Sequence, residues 1–534
     1  EDRDADFSFH GLPVPADAII QTIPVYNGPV RQRNSPAPTG TWDGIVQSQS
    51  LIPPDIRGAA SVGNFVMETT NQHFKIYNKT GTLLSTLSIT TFFNSTGGNG
   101  YFDPHVIYDH TNNRFIVCID GNASNGNSGL FVGVSQTSDP TGSWYIYGFD
   151  AIGNSNDFLD YPLLGVNTNW VVITGNDFLG NGGNSSKIYV LNRASLYAGA
   201  LGTVSTFTDN NLFTIAPAQT FDTAQTTEYL VADYNGNSGG NGYVKIGSIT
   251  AGPIYNAGTT LGTNQTWSEN SVGDLQLGRN HSLEDGDTRI GNAVYINGSL
   301  WFTHTAFLPA SNPTHDGVDW WQVNPATPAI QQFGRIEDTN CPKFFFYPSI
   351  AVNTNGDALL GYCESSSSMY AGAAYSFHAS TDAANTMQTT YLYKAGTAGY
   401  YQTLGGGRNR WGDFTGTAVD PFDNSLWGFG EWSAGSSTWG TEVVHVDASS
   451  TICTAHASFS YTNTVSCSAP LTVNFTNTST SANTYVWYFG DGNTSTADNP
   501  SHTYTTLGNY TVKLVATSTG TCGTDSITIS NLVN

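Results

Sequence analysis

The chain has 534 residues, 39% of them hydrophobic and 13% aromatic, enough apolar material for more than one core and too much for a disordered chain. Charged residues make up only 11%, and the 41 acidic against 18 basic side chains leave a net charge of −23 that repels phosphate backbones and anionic lipid, so no nucleic-acid partner is expected. No apolar run approaches the roughly 18 residues of a membrane span, and no leader with a charged start and apolar core is seen, so no membrane insertion is expected and an exported chain would already be processed.

Residues 1–40 show no strand period. "PVPADAIIQTIPVYNGPV" (13–30) reads as an extended, proline-punctuated arm that lies either on its own chain or on a neighbour, the second case implying self-assembly through the arm. "DPHVIYDHTNNRFIVCID" (103–120) places two apolar runs around a polar turn and reads as an antiparallel hairpin. "YPLLGVNTNWVVITGN" (161–176), "YPSIAVNTNGDALLGYCES" (347–365) and "FTGTAVDPFDNSLWGFGEW" (414–432) repeat its grammar, and weaker copies lie at 57–81, 228–249 and 289–307. Unit starts at Arg57, His105, Tyr161, Glu228, Arg289, Tyr347 and Asp413 are separated by between 48 residues (57 to 105) and 67 residues (161 to 228), room for a four-stranded sheet with its loops. This predicts an all-β chain with a roughly seven-bladed β-propeller over 41–450, closed by "WDGIVQSQS" (42–50) or "TEVVHVD" (441–447).

From about residue 456 the pattern changes to short alternating strands of a small Ig-like sandwich, 456–534. Trp487, the Phe489-Gly490-Asp491-Gly492 turn, Asn499-Pro500, His502-Thr503-Tyr504 and Gly508-x-Tyr510-Thr511-Val512 resemble a PKD domain, with Trp487 as core anchor and Tyr504 and Tyr510 packed on the sheet. The larger domain, through "DPHVIYDHTNNRFIV", "DGDTRIGNAVYINGSLWFTHT" and "RWGDFTGTAVDPFDNSLWGFGEW", resembles a family of secreted bacterial propellers of poorly defined function. The order propeller then PKD resembles secreted and surface proteins of Bacteroidota, and implies a secreted or cell-surface location.

The six cysteines include no Cys-x-x-Cys pair, which argues against a zinc cage and for disulfides in an oxidising compartment. Cys467 and Cys522 flank the sandwich as its staple, Cys341 and Cys363 clip unit six, Cys118 reads as a buried thiol, and Cys453 has no assigned partner. Asn-x-Ser/Thr sequons, Asn78, Asn94 and Asn297 among them, allow a glycoprotein wherever the source glycosylates. "SDPTGSW" (138–144) resembles the Asp-box of sialidases and is expected to be a fold-locking turn.

In a propeller the first strand of each unit is innermost, so the residues preceding it crowd one mouth of the axial channel. Asp55, Arg57, Asp103, His105, Asp160, Tyr161, Glu228, Asp287, Arg289, Tyr347, Arg410 and Asp413 stand at such places. Three readings stay open: the arginines neutralise neighbouring carboxylates and the Asp side chains cap backbone amides; Asp55, Asp103, Asp160 and Asp287 hold Ca²⁺ or another hard cation; or Arg57, Arg289 and Arg410 grip a substrate carboxylate while Asp103, Glu228, Asp287 or Asp413 acts as acid or base. His105, Tyr161 and Tyr347 join the ligand-binding candidates, and Trp320 and Trp321 of "DWWQ" are the expected exposed aromatics for sugar stacking. His105 and His304 otherwise read as wall residues. Neither His-Glu-x-x-His nor Gly-x-Ser-x-Gly occurs, which disfavours those hydrolase classes.

The first functional expectation is an extracellular binding or structural protein that meets a glycan or protein surface for adhesion or assembly, with the PKD domain as spacer. Its rival is a polysaccharide-acting enzyme, a sialidase-like glycoside hydrolase or a lyase, working at the charged mouth.

Overall fold

The computed structural model describes residues 11–23, 33–123, 125–338, 343–404, 407–447, 457–462, 469–479, 482–518 and 524–533. The chain divides into two compact units, Glu1–Ala448 and Ser449–Asn534.

The first unit is a β-propeller. Among the described residues its strands form seven blades: four are separate four-stranded sheets, and the other three are linked along their inner strands into one 13-stranded sheet that also takes in Ile19–Gln21. Their innermost strands, Arg57–Ala60, Asn99–Asp109, Phe158–Val166, Ala216–Thr220, Ala293–Ile296, Phe344–Val352 and Gly416–Val419, follow one another in a closed ring, the seventh beside the first. Within a blade the strands form an antiparallel meander, as in Asn99–Asp109, Arg114–Asn122, Ser128–Ser135 and Trp144–Asp150 of blade two. The first turn of that blade is set locally: Asp109 Oδ1 accepts the Thr111 amide at 2.9 Å, and Asn113 takes φ 56°, a left-handed conformation that Asn tolerates. Strand Arg114–Asn122 reads as a continuous apolar run because both faces of a blade are covered by neighbouring blades. Ile116, Cys118 and Val132 of blade two accordingly pack with Leu164, Val171 and Ile173 of blade three.

Ring closure uses both candidate segments at once. Gly40–Val46 runs antiparallel to Thr438–Val446 as the outermost strand of blade seven, Trp42 opposite Val443. The start and end of the propeller are thereby joined through backbone hydrogen bonds. Residues 11–23 lie on their own chain: Ile19–Gln21 pairs in parallel with Leu261–Thr263 at the outer edge of blade four, and Leu12, Val14 and Ala18 pack against that blade's core.

Four expectations need correction. Unit four begins at Ala216–Thr220; Glu228 opens the second strand, so it does not precede an inner strand. The inner strand escaped notice because Pro217, which cannot donate to a ladder, interrupts its β pattern. Trp320 and Trp321 are 1% and 0% exposed. Successive side chains of a strand face opposite ways and both faces are covered, so Trp320 enters the core shared with blade six, stacked on Trp301 at 6.0 Å, and Trp321 the core shared with blade four, edge-on to Phe333 at 4.7 Å. Cys363 is a free buried thiol whose Sγ accepts the Trp411 indole N–H at 3.3 Å, so no clip to Cys341 forms. The proposed cation set fails as well, for reasons of geometry given below. Cys118 is the buried free thiol expected in strand two of its blade; Cys341, Cys453, Cys467 and Cys522 lie outside the described residues.

"SDPTGSW" closes the last hairpin of blade two. Asp139 Oδ1 accepts the Thr141 amide at 2.8 Å and Trp144 donates its indole N–H to Pro140 O at 2.9 Å, while the Trp144 ring packs edge-on to Phe92 at 5.0 Å.

The second unit is a sandwich of a three-stranded and a four-stranded antiparallel sheet. Trp487 is fully buried between them and donates its indole N–H to Ala497 O at 3.0 Å; Tyr504 is buried and donates to Phe489 O at 3.0 Å. Gly490 sits at φ 86°, and a Cβ there would come within 2.5 Å of Thr511 O, so the turn requires glycine.

Candidate functional site: the rim of the propeller axis

Each inner strand carries the same three-residue device, within the strand in blades two, three and six and at or just before its start in the others: Asp55-Ile56-Arg57, Asp103-Pro104-His105, Tyr161-Pro162-Leu163, Thr214-Ile215-Ala216, Arg289-Ile290-Gly291, Tyr347-Pro348-Ser349 and Asp413-Phe414-Thr415. In five of the seven the leading residue has positive φ: Asp55 (50°), Asp103 (54°), Tyr161 (60°), Thr214 (55°) and Tyr347 (49°). In blades two, three and six the ladder skips at this point, between Phe102 and His105, Asp160 and Leu163, and Phe346 and Ser349. A left-handed non-glycine residue costs about 1–2 kcal/mol, so a strain repeated around the ring must serve a purpose. Its result is that six of the seven leading residues, all but Thr214, line one of two adjoining cavities.

The first cavity, of about 180 Å³, is lined by Arg57, Arg289, Arg408 and Arg410, by Glu284, Asp287 and Asp413, and by the rings of Tyr161, Tyr347 and Phe414. Arg57 spans the ring below it. One guanidinium nitrogen donates to Thr415 O in blade seven at 2.8 Å and the other to Gly291 O in blade five at 2.9 Å, while the group lies 4.3 Å from the centre of the Phe414 ring. Burial lowers its pKa to about 10, offset in part by Tyr161 and Asp55. Arg289 makes a bidentate pair with Asp287 at 2.8 and 2.7 Å and lies 4.4 Å over the Tyr161 ring. Arg410 bridges Glu284 at 3.1 Å and Asp413 at 2.8 Å, and Arg408 also pairs with Glu284. Burial opposes ionisation of Asp413, but Arg410, with help from Arg289 and Arg408, outweighs it and holds the carboxyl below its ordinary range. The buried Tyr347 hydroxyl has no hydrogen-bond partner, and burial holds its proton firmly. Gly286, at φ 70°, fits against this ring: a Cβ would stand 2.7 Å from Tyr347 Cε1.

The second cavity, of about 420 Å³, shares Arg410 and Asp413 with the first and is lined by Asp55, Asp103, Asp157 and Asp160. Asp55 Oδ1 accepts the Asp413 amide at 2.9 Å and Oδ2 accepts Asn71 Nδ2 at 2.5 Å; Asn71 Oδ1 in turn accepts the Asp103 amide at 2.7 Å. Burial, then the charge of Asp413, raises the Asp55 pKa to about 7. Asp103 is pushed well above its ordinary value by burial and by Asp55, Asp160 and Asp413.

The sequence-derived set is thus largely brought together, but in two parcels. Asp287 lies in the cationic cavity, its carboxylate held by Arg289, while Asp55, Asp103 and Asp160 lie in the acidic one; the four do not converge on one cation. Glu228 is fully buried on a second strand, packed under Gly165, and burial raises its pKa well above normal, so it lines neither cavity. His105 is a neutral wall residue: its Nδ1 stands 3.4 Å from Pro162 O, and burial with nearby Arg57 keeps its pKa well below normal. His304 is likewise buried and neutral, its Nδ1 2.9 Å from Thr305 O. Sequence reasoning missed Glu284 and Arg408, although "SLEDGDTR" (282–289) and "RNRWGD" (408–413) already showed the charge density.

Fold and rim together define a propeller with a charged axial site, followed by a small β-sandwich. Residues 454–531 match the family model of the PKD domain. No curated protein matches the chain. Among solved structures, the exo-β-1,3-galactanase of Phanerochaete chrysosporium is 11% identical with a TM-score of 0.29, over 91% of this chain and 93% of that one. The GH93 α-L-arabinofuranosidase of Fusarium graminearum is 10% identical with a TM-score of 0.33, over 77% and 96%. Extracellular domains 1–2 of Drosophila Semaphorin 1b are 6% identical with a TM-score of 0.35, over 78% and 88%. Similarity of this degree does not extend to activity. No helix among the described residues is long and apolar enough to cross a membrane.

Proposed function

We propose that the chain is an extracellular recognition protein that holds a carboxylate-bearing sugar in the cationic cavity of the rim, with the PKD domain as a spacer for adhesion at a surface or matrix. One observation carries this reading: a chain of net charge −23 gathers four guanidiniums against three carboxylates around one cavity on its axis. Guanidinium forks match carboxylate geometry, and the half-buried Tyr347 in the cavity wall offers a ring against which a sugar face packs. At about 180 Å³ the cavity is smaller than a drug-sized pocket of about 300–1,000 Å³, which suits one terminal sugar better than the middle of a chain. Titration calorimetry with uronate- and sialate-terminated oligosaccharides tests it. Acidic ligands should bind at least about tenfold tighter than their neutral counterparts, a difference of about 1.4 kcal/mol, and the preference should weaken with salt. Equal binding of neutral ligands, or none of either, overturns the reading.

A second reading, an enzyme acting on acidic polysaccharide, draws on one specific pair. Asp55 keeps its proton to about pH 7 while the neighbouring Asp413 is held as an anion, the split that acid–base chemistry on two carboxyls needs. Reducing-end release from acidic glycans by the native chain, abolished in Asp413→Asn, would establish turnover.

A further inference from the structure

Behind the rim, residues 264–292 join blades four and five without a strand of their own. Asp274 and Asp285 of this connection meet Asp316, from the third strand of blade five, with one carboxylate oxygen of each within 4.8 Å of the others. All three residues are 0% exposed.

Their hydrogen bonding is incomplete. Asp285 is anchored: Oδ1 accepts the Ser271 hydroxyl at 2.6 Å, and Oδ2 accepts the amides of Val272 at 3.0 Å and Gly273 at 2.7 Å. Asp316 Oδ1 accepts the Phe345 amide at 2.6 Å. Both oxygens of Asp274, and Oδ2 of Asp316, meet no N–H or hydroxyl donor, and the Asp274 and Asp316 carboxyls stand close enough to share a proton between themselves. No cationic side chain stands among the groups that act most on these carboxyls; Asp274 feels chiefly burial and the like charges of Asp316 and Asp285. Buried carboxylates without a counter-charge are strongly unfavourable, and an unpartnered oxygen forfeits its hydration. Two carboxyls anchored by backbone or hydroxyl donors, and a third that meets only its acidic neighbours, bring three buried carboxyl oxygens together with no cationic partner among the groups that act most on them.

Oxygen-only ligands of net charge −3 suit a hard divalent cation. Ca²⁺–oxygen distances of about 2.3–2.6 Å put ligands on opposite sides of the ion roughly 4.6–5.2 Å apart, and the spacing here fits within that span. We propose that Asp274, Asp285 and Asp316 hold one divalent cation of the Ca²⁺ class, which fastens the connection 264–292 to blade five. Asp285 adjoins Glu284 and lies two residues before Asp287, both of which line the cationic cavity. The cation therefore also sets the placement of the carboxylates that pair with Arg289, Arg408 and Arg410.

The test uses the full chain stripped with a chelator and desalted, then titrated with Tb³⁺, Ca²⁺ and Mg²⁺. Trp411 and Trp439, in the same buried cluster as Leu283, serve as energy donors for Tb³⁺ emission. Expected are one Tb³⁺ per chain displaced by Ca²⁺, a melting temperature raised by several degrees on adding Ca²⁺, and a loss of at least tenfold in Ca²⁺ affinity in Asp274→Asn and separately in Asp316→Asn. A stripped chain whose melting temperature ignores Ca²⁺ and Mg²⁺, with Asp274→Asn as stable or more so, overturns the proposal and shows protons shared among the three carboxyls. Stoichiometric Ca²⁺ binding unaffected by both variants overturns it too, because the ion then sits elsewhere.

Discussion

The cavity under Arg289 and the depression beside Asp103 share a wall of Arg410 and Asp413, yet four arginines face three carboxylates in the first and one arginine faces five in the second. Both sides share one backbone device: Asp55 and Asp103 on the acidic side and Tyr161 and Tyr347 on the cationic side adopt a left-handed kink at an inner strand. The difference therefore lies partly in which side chain a blade carries at that position and partly in Glu284, Asp287, Arg408 and Arg410, which the connections before blades five and seven bring to the cationic side. A ring of equivalent places acts as a palette, and charge is sorted around it without a change of fold. The acidic side is also less charged than its formula, since Asp55 and Asp103 keep their protons in burial while Asp413 does not.

The shared wall is where the contrast breaks most severely. Arg410→Met removes the partner of two carboxylates at once, and stripping one member from a buried ion network costs about 3–5 kcal/mol; chemical denaturation of the propeller should show a loss of this size, and an unchanged midpoint would mean that Arg408 and Arg289 suffice.

Stability against pH sharpens the comparison on the acidic side. Unfolded, Asp55 ionises near its ordinary value of 3.8; folded, near about 7, so the native state binds more protons between these values and the contribution of Asp55 falls as pH rises from about 4 to about 7. Asp413 works the other way: its depressed carboxyl adds stability above its unfolded pKa and surrenders it as the medium is acidified through the folded value. Asp55→Asn, measured by denaturant midpoints over pH 4 to 8, should flatten the first slope, an effect on the order of 4 kcal/mol at full shift, and leave the second.

On the cationic side, Arg289→Ala should lower affinity for acidic sugars by about 10- to 100-fold, or about 1.4–2.8 kcal/mol, with about 1.5–3 kcal/mol lost from folding, since its bidentate pair with Asp287 is mostly buried. Asp103→Asn, across the wall, should not weaken that binding in calorimetry. Tyr347→Phe gives the smallest effect. The hydroxyl has no partner in the unliganded site, so folding stability should change by less than about 0.5 kcal/mol, whereas a ligand that bonds to it would be held a few-fold less tightly.

The hairpins were legible because their signals are local: alternating or continuous apolar strands, and turn residues such as Asn113 that tolerate a left-handed backbone. Blade four slipped because one proline in a five-residue strand silences that signal, and Glu228 was misplaced with it. The rim was largely legible in membership, because residues at the start of an inner strand stand near the axis, and of the seven leading residues only Thr214 lines neither cavity. Pairing was not: Arg57 with Gly291, Asp55 with Asp413, and Asp274 with Asp316 link residues 42 to 358 positions apart (316−274 and 413−55), and no local rule couples them. Trp320 and Trp321 misled for a related reason, since alternation along a strand says that they face opposite ways but not that both sides are covered.

Composition, repeat length and turn chemistry by themselves determined an all-β chain, a repeated four-stranded unit, a distinct C-terminal sandwich and an axis gathering carboxylates and guanidiniums, because each follows from interactions between residues close in sequence. Closure of the ring alone decided which of those charges meet, which lose water and keep their protons, and which aromatic rings are hidden, because solvation and Coulomb energy depend on distances that exist only once all seven blades are in place.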